Sequence, residues 1–527
     1  MLVSNEVKKH GDARSGRKGS VAGTSSTRSA FSRLVTMGAL YAALIHGNSA
    51  LAADLDNSIK NGSEVSSEMS AEQLRQLDAT LRPRLWNIPY PSYADTLTQD
   101  WGGARSKLAE YGIGLSLVNV DVYQQNLLNT PRSVPSLSGS GLPYPTCTRT
   151  SGTVCAGGQA YIGEKPFFLT GFVGMLVYDT SRWGVPDGQI MVQGGFYGST
   201  NDQFNKNGLV TLNALVWYQT LLDKMFELKV GYQAFLMEFG GITLAGNFAS
   251  TFGNSASVPA EMGMTGNVGM PAAVLKWNIT KEFYDQVGVW RSPPVNGQQH
   301  GLTGNALLDE SLTNPTGLNF TSRVPGASAA VVNEIGYKRE ASPGANKIWL
   351  RAGYIYNASD FQDLSKVATN PDAVIHGASA GYALVDAQLW QFDPSPKTAY
   401  KGLYVGASVM GGQNNALPLS QSYEARAYIV GPFTSRPTDL ASFVYVHQDV
   451  SNHLANAVNL GLPEFQANAP IPAAANFTNS YTLNYLAHIR PGMYGSVGVS
   501  YTDNPSVTYF KGQGSAFLVQ ASLTTIW

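Results

Sequence analysis

The sequence predicts an all-β protein, a transmembrane antiparallel β-barrel of about 16 strands, preceded by a short segment with helices. Three observations predict it. Charged residues are only 13% of the chain, about half the usual globular share, while aromatics reach 11% and glycines number 55. From Gly112 to Trp527 apolar side chains recur with a period of two. The connections between these stretches are alternately short and long, as they are in barrels that cross a bacterial outer membrane.

The same composition excludes other classes. A hydrophobic share of 43% at low charge is the opposite of the disordered signature. Lys+Arg (35) and Asp+Glu (36) nearly cancel, so no basic field for nucleic acid forms. Mean hydropathy is −0.10, and no stretch beyond the N-terminus has the roughly 18 consecutive apolar residues of a spanning helix.

Residues 1–52 read as a secretory signal. Lys8, Lys9, Arg14, Arg17, Lys18, Arg28 and Arg33 outnumber Glu6 and Asp12, an apolar run follows over Leu34–Ile45, and Ala50-Leu51-Ala52 is a small-residue cleavage pattern. Without them the net charge of −1 becomes about −6. Residues 53–111 read as a periplasmic N-terminal segment. Ser70 can cap a helix over 71–81 in which Leu74, Leu77 and Leu81 share a face, and Pro83 ends it. A proline-bearing stretch, WNIPYPSY, follows; a second short helix is expected over 103–110, with Gly112 as its stop.

Residues 112–527 read as the barrel. Candidate strands lie near 112–125, 167–179, 188–198, 210–221, 226–236, 271–279, 284–291, 329–338, 347–357, 382–392, 402–410, 422–430, 439–448, 479–490, 493–503 and 515–527. In the last of these Phe517, Val519, Ala521, Leu523 and Trp527 alternate with Gln520, Ser522 and Thr524. Connections 222–225, 280–283, 339–346 and 491–492 are short, whereas 126–166, 237–270, 292–328, 358–381 and 449–478 are long. A barrel of this width leaves an aqueous lumen, so its inward face is expected to be polar. A secreted double-sheet protein would also alternate; scarce charge and aromatics near strand ends (Trp217-Tyr218, Trp277, Tyr354, Tyr356, Trp527) favour the membrane barrel.

The alternation nominates Glu227, Lys229, Gln233, Glu334, Lys338, Trp349, Arg351, Asp386, Gln388, Trp390, Glu424, Arg426 and Arg490 as channel-lining residues. Arg351, Arg426 and Glu424 stand out, because opposed fixed charges set up a transverse field. Trp183, Trp290, Trp349 and Trp390 are candidate stacking surfaces. Cys147 and Cys155, eight apart in a Ser/Gly-rich loop, are candidates for a small disulfide in an exported chain. Gly377-Ala378-Ser379-Ala380-Gly381 matches a hydrolase nucleophile pattern but reads as a small-residue loop before a strand, not as a strand-to-helix elbow. The seven histidines show no metal-ligand spacing, so neither catalysis, a metal nor a cofactor is expected.

The stretch Asp100-Trp101-Gly102-Gly103-Ala104-Arg105 through Leu108 to Gly112-Ile113 resembles the entry segment of the carbohydrate-selective porin family (OprB type). Leu228–Tyr232, Arg436-Pro437-Thr438-Asp439, and Arg490–Tyr494 through Asn504-Pro505 are similar, in order, to later motifs of that family. The first loop with its cysteines and the region 53–95 match no family motif. The resemblance implies passive, carbohydrate-selective diffusion of small sugars across the bacterial outer membrane, with lipid around the barrel. It also implies assembly by the barrel assembly machinery through a final aromatic, here Trp527. The alternative is a channel for other small solutes such as organic acids, and a secreted carbohydrate-acting protein is a third class.

Overall fold

The computed structural model describes residues 69–128, 163–200, 211–236, 238–241, 243–247, 249–250, 257–264, 269–292, 319, 326–366, 369–370, 373–459, 475–505 and 514–527. The signal segment and the Cys147/Cys155 pair lie outside the described residues. Sixteen strands close into one antiparallel barrel. They are β1 (Ile113–Asn126), β2 (Phe167–Asp179), β3 (Gly188–Ser199), β4 (Thr211–Leu221), β5 (Phe226–Gln233), β6 (Met270–Asn278), β7 (Phe283–Arg291) and β8 (Ala329–Arg339). The second half comprises β9 (Ile348–Gln362), β10 (Val374–Gln391), β11 (Gly402–Gly412), β12 (Leu419–Val430), β13 (Leu440–Val450), β14 (Phe477–Arg490), β15 (Met493–Asp503) and β16 (Ala516–Ile526). Each strand pairs with its sequence neighbours, and β1 closes on β16 from Val118 opposite Ile526 to Asn126 opposite Leu518. Closure leaves no unpaired edge, which a membrane-spanning sheet requires.

Short turns join even strands to odd ones at one rim, and the long connections all join odd to even at the other, where only 413–418, between β11 and β12, is short. One expectation changes here. Residues 358–381 are not all loop, because β9 and β10 run on to Gln362 and back from Val374 as a tall hairpin. Gly377, at φ 83°, sits within β10 where the register slips between His376 and Ala378. The strand continues past Gly381, so the serine of this pattern has no helix after it.

The outward face is apolar. Leu275, Val287, Val289, Val331, Leu483 and Val497 are exposed there, with Trp217, Trp277, Tyr354 and Tyr356 among them. Tyr218 departs from the expected girdle. It follows Trp217 directly, so it faces inward, and it is buried. The inward face is only partly polar, contrary to expectation. Met175, Val177, Met191, Ala214 and Val216 point inward from β2–β4, and Val274, Val332 and Ile355 point inward farther round. These apolar inner surfaces are covered by chain that enters the lumen.

The first such chain is the N-terminal segment. Helix α1 (Ala71–Leu81) starts at a capping box in which the Ser70 hydroxyl accepts from Gln73 N–H and the Gln73 side chain accepts from Ser70 N–H. After Arg82 the chain passes into the barrel mouth, where Leu85 and Tyr90 pack on the inner wall of β2–β4. Burying such side chains is worth about 1.5–3 kcal/mol each. Helix α2 (Ala104–Glu110) is anchored by the entry motif: Asp100 accepts from Ser106 N–H (2.9 Å), the Ser106 hydroxyl (2.6 Å) and Met69 N–H (2.7 Å). Arg105 is buried, lies 4.9 Å from the Tyr93 ring centre and donates to Leu115 O. The motif therefore ties the segment to the start of β1.

Candidate functional site

The second chain in the lumen is the connection between β5 and β6. Phe235 stacks on Phe239 (5.4 Å) and on Trp290 (4.6 Å). Gly288 of β7 makes the room, because a Cβ there would sit 2.5 Å from Phe235. A short helix α3 (Ser257–Glu261) lies farther along, and its Glu261 carboxylate accepts from Leu419 N–H at the start of β12. Burial drives the Glu261 pKa well above the ordinary value, against that hydrogen bond. Ala245 N–H donates to the Tyr428 hydroxyl, so the connection reaches across to β12.

Wall residues hold this connection by its backbone. The Arg351 guanidinium donates to Phe239 O and Gly241 O, both at 2.7 Å, and lies 3.9 Å from the Trp349 ring centre. Asn357 donates to Met262 O (2.9 Å). Lys229 and Glu238 form a buried ion pair at 2.8 Å. Glu334 accepts from Tyr284 (2.9 Å), Tyr382 (2.7 Å) and Gln286 (3.1 Å), which fixes the wall behind the loop.

Between the loop, the N-terminal segment and the wall a cavity of about 210 Å³ remains. Asn87, Ile88 and Pro89 line one side, Thr243 and Ala245 another, and Lys338, Glu340, Lys347, Trp349, Arg351, Asp386 and Arg426 the wall. Its charges are mostly paired. Glu340 meets Lys347 at 2.9 Å and Lys338 at 3.3 Å. Burial raises the pKa of Glu340, but the two ammonium groups outweigh it and hold the carboxyl below its ordinary value. Arg426 meets Asp386 at 3.0 Å and Glu424 at 2.9 Å, and the Tyr428 hydroxyl donates to Asp386. An apolar groove of about 790 Å³ also exists on the outer wall, lined by Leu403, Phe443, Leu483 and Val497, but it faces away from the lumen.

The structure thus brings Lys338, Trp349, Arg351, Asp386 and Arg426 together at this cavity, with Glu424 directly behind. Other nominated residues fall elsewhere. Lys229 and Glu334 are locked beneath the infolded loop, and Glu227 accepts from Tyr218 (3.0 Å) and Asn278 (2.9 Å) beside Lys276 (3.6 Å). Gln388 donates to Ala399 O and Lys401 O, organising a short turn rather than a solute path. Trp390 is a correction: a register shift after Gln388 pairs it with Leu403 on the outer wall, where it is 67% exposed. Arg490 is exposed beside the turn 491–492, at the rim and outside this cavity. The stacking candidates also change. Trp290 is buried under the loop, Trp183 lies in the turn after β2, and the Trp349 ring carries Lys338 and Arg351. The alternation missed Glu340 and Lys347, which sit in a turn, and Asn87–Pro89, which no strand carries. Among the described residues no cluster of metal-ligating side chains occurs.

A family model described as "Carbohydrate-selective porin, OprB family" matches residues 187–519. The chain belongs to that family. It is an outer-membrane porin for sugars. Among solved structures, OprB of Pseudomonas putida at high pH is similar at 15% identity and a TM-score of 0.63, covering 82% of this chain and 98% of that one. The low-pH structure of the same P. putida protein aligns at 13% identity with a TM-score of 0.46, covering 83% and 100%. Salmonella typhi OmpF in complex with daunomycin aligns at 10% and 0.42, covering 79% and 99%. The first likeness supports the sixteen-strand fold of the porin. No curated protein sequence matches the chain.

Proposed function

We propose that the porin selects neutral sugars of about one ring at the 210 Å³ throat, by passive diffusion and without chemistry on the solute. The observation that carries this reading is the pairing of charge. Glu340 with two lysines, and Arg426 with Asp386 and Glu424, offer dense donors and acceptors with little uncompensated charge. Hydroxyl groups can exchange water for such a wall, and modest contacts let the solute leave as easily as it enters. The short-turn rim then faces the periplasm and the long connections face outward. The apolar outer wall meets lipid, and β16 (Ala516–Ile526) with the adjoining Trp527 offers the aromatic strand that barrel assembly machinery would recognise.

A second reading, small organic acids, rests on Arg351. Its guanidinium is spent on carbonyl oxygens and makes no ion pair with a carboxylate among the described residues, so it keeps its charge beside the throat. Swelling of liposomes containing the porin decides between them. Glucose-sized neutral sugars are expected to enter faster than organic acids of equal size; faster entry of the acids rejects the sugar reading.

A further inference from the structure

The stretch 82–90 has no counterpart in the strand pattern, yet it is fixed in the lumen at both ends and in the middle. Gln189 of β3 reads its backbone: Nε2 donates to Thr80 O (2.7 Å) and Arg82 O (2.9 Å), and Oε1 accepts from Arg84 N–H (3.2 Å). Arg82 Nε donates back to Tyr90 O, closing the stretch on itself. Asn87 Nδ2 donates both to Glu238 O of the infolded loop (2.7 Å) and to Gln286 of the wall (3.2 Å). Downstream, Asp95 accepts from His488 (2.9 Å), Gly492 N–H (2.9 Å) and the Tyr494 hydroxyl, so the chain is also clamped at the β14–β15 turn. Pro89, between buried Ile88 and buried Tyr90, is exposed and lines the throat.

We propose that Asn87-Ile88-Pro89 is the second jaw of the throat and sets the size limit of the solute, with Asn87 as the positioning residue that ties it to the infolded loop. The assignment rests on the throat being the sugar path. A jaw that enters from the short-turn rim and hydrogen-bonds the infolded loop makes the opening a property of two chain segments that meet without a covalent link. A proline is suited to the tip, because it exposes no N–H that would need a partner inside a narrow space.

The test uses the full chain in planar bilayers and in liposomes. Pro89→Trp is expected to lower unitary conductance and glucose-driven swelling several-fold, and Pro89→Ala to raise disaccharide entry relative to glucose. Arg490→Trp, at the same rim but outside the throat, is expected to change neither. Heat-modifiable gel mobility confirms that each barrel is folded. As a check independent of folding, Pro89→Cys is labelled in the assembled channel with a bulky thiol reagent, with the parent chain treated alike to account for Cys147 and Cys155. Labelling is expected to block the current only in the variant. Unchanged current in a folded Pro89→Trp channel, or in a fully labelled Pro89→Cys channel, overturns the jaw. A parent channel that prefers acids to sugars overturns the selectivity reading but leaves the jaw standing, since conductance alone reports it.

Discussion

Single side chains in this lumen act mainly by holding chain in place. Lys229 and Glu238 are paired out of water, so removing one partner leaves a buried charge. Lys229→Met is expected to cost about 3–5 kcal/mol, and Lys229→Met with Glu238→Leu to recover most of it. The midpoint of the heat-induced gel-mobility shift measures both. Arg351 matters by shape as well as charge, because its fork spans two carbonyls that a single ammonium cannot hold in the same way. Arg351→Lys is expected to loosen the loop by about 1.5–3 kcal/mol, the worth of a hydrogen bond to a charged group. Single-channel recording should show it as added open-state noise at little changed mean conductance. The alternation marked Lys229, Glu334 and Arg351 as inward, and so they are. It could not mark that only Arg351 of the three borders free space, because a period of two fixes the side of the sheet and not what lies against it.

Among the elements, the N-terminal segment and the β14–β15 turn depend on one another. Gly492 adopts φ 70° and lies so close to the segment that a Cβ would stand 2.2 Å from Leu97 N and 2.5 Å from Ile526 O. Burial raises the pKa of Asp95, but hydrogen bonds from His488, Tyr494 and Gly492 more than offset it, and the carboxyl stays below its ordinary 3.8. A depressed folded-state value means that this clamp contributes fully above about pH 4 and is lost as pH falls through the depressed value. Proteolysis of residues 69–97 in the assembled porin is therefore expected to be flat from neutral pH to about pH 5 and to rise only in stronger acid. An acid-stable protease can follow it. Asp95→Asn is expected to raise cleavage at every pH and to flatten the dependence. If cleavage instead rises between pH 7 and 6, the carboxylate is not the controlling group. Helix α1 was legible from Ser70, the Leu74/Leu77/Leu81 face and Pro83, since capping is a local interaction; the reciprocal contact from Gln73 was seen only in the structure. The path of residues 82–97 was not, since its partners are 100 to 400 residues away.

At the scale of the whole porin, the outer wall and the lumen obey different solvents. Leu483, midway along β14, is 56% exposed on the outer face. Leu483→Arg is expected to destabilise by about 2–4 kcal/mol in a bilayer, the cost of a basic residue at mid-depth on a barrel exterior. Urea unfolding in lipid measures this; a loss below about 1 kcal/mol would place that face in water. Met175 and Val177 face inward while Leu176 faces outward, so β2 is apolar on both sides. A strand covered on both faces reads as a continuous apolar run, and such runs in Phe167–Asp179 and in Ala214–Tyr218 go with a filled lumen, although a polar inward face was expected. The strand positions, their even number and the alternating rows were legible in the sequence, because each is set by neighbours a few residues away or by a period of two, whereas the closure of β1 on β16 joins residues about 400 apart. The cavity proposed as the throat was decided only in the tertiary structure. Residues 87–89, the connection after β5 and the turn between β8 and β9 meet there through contacts that leave no period to read.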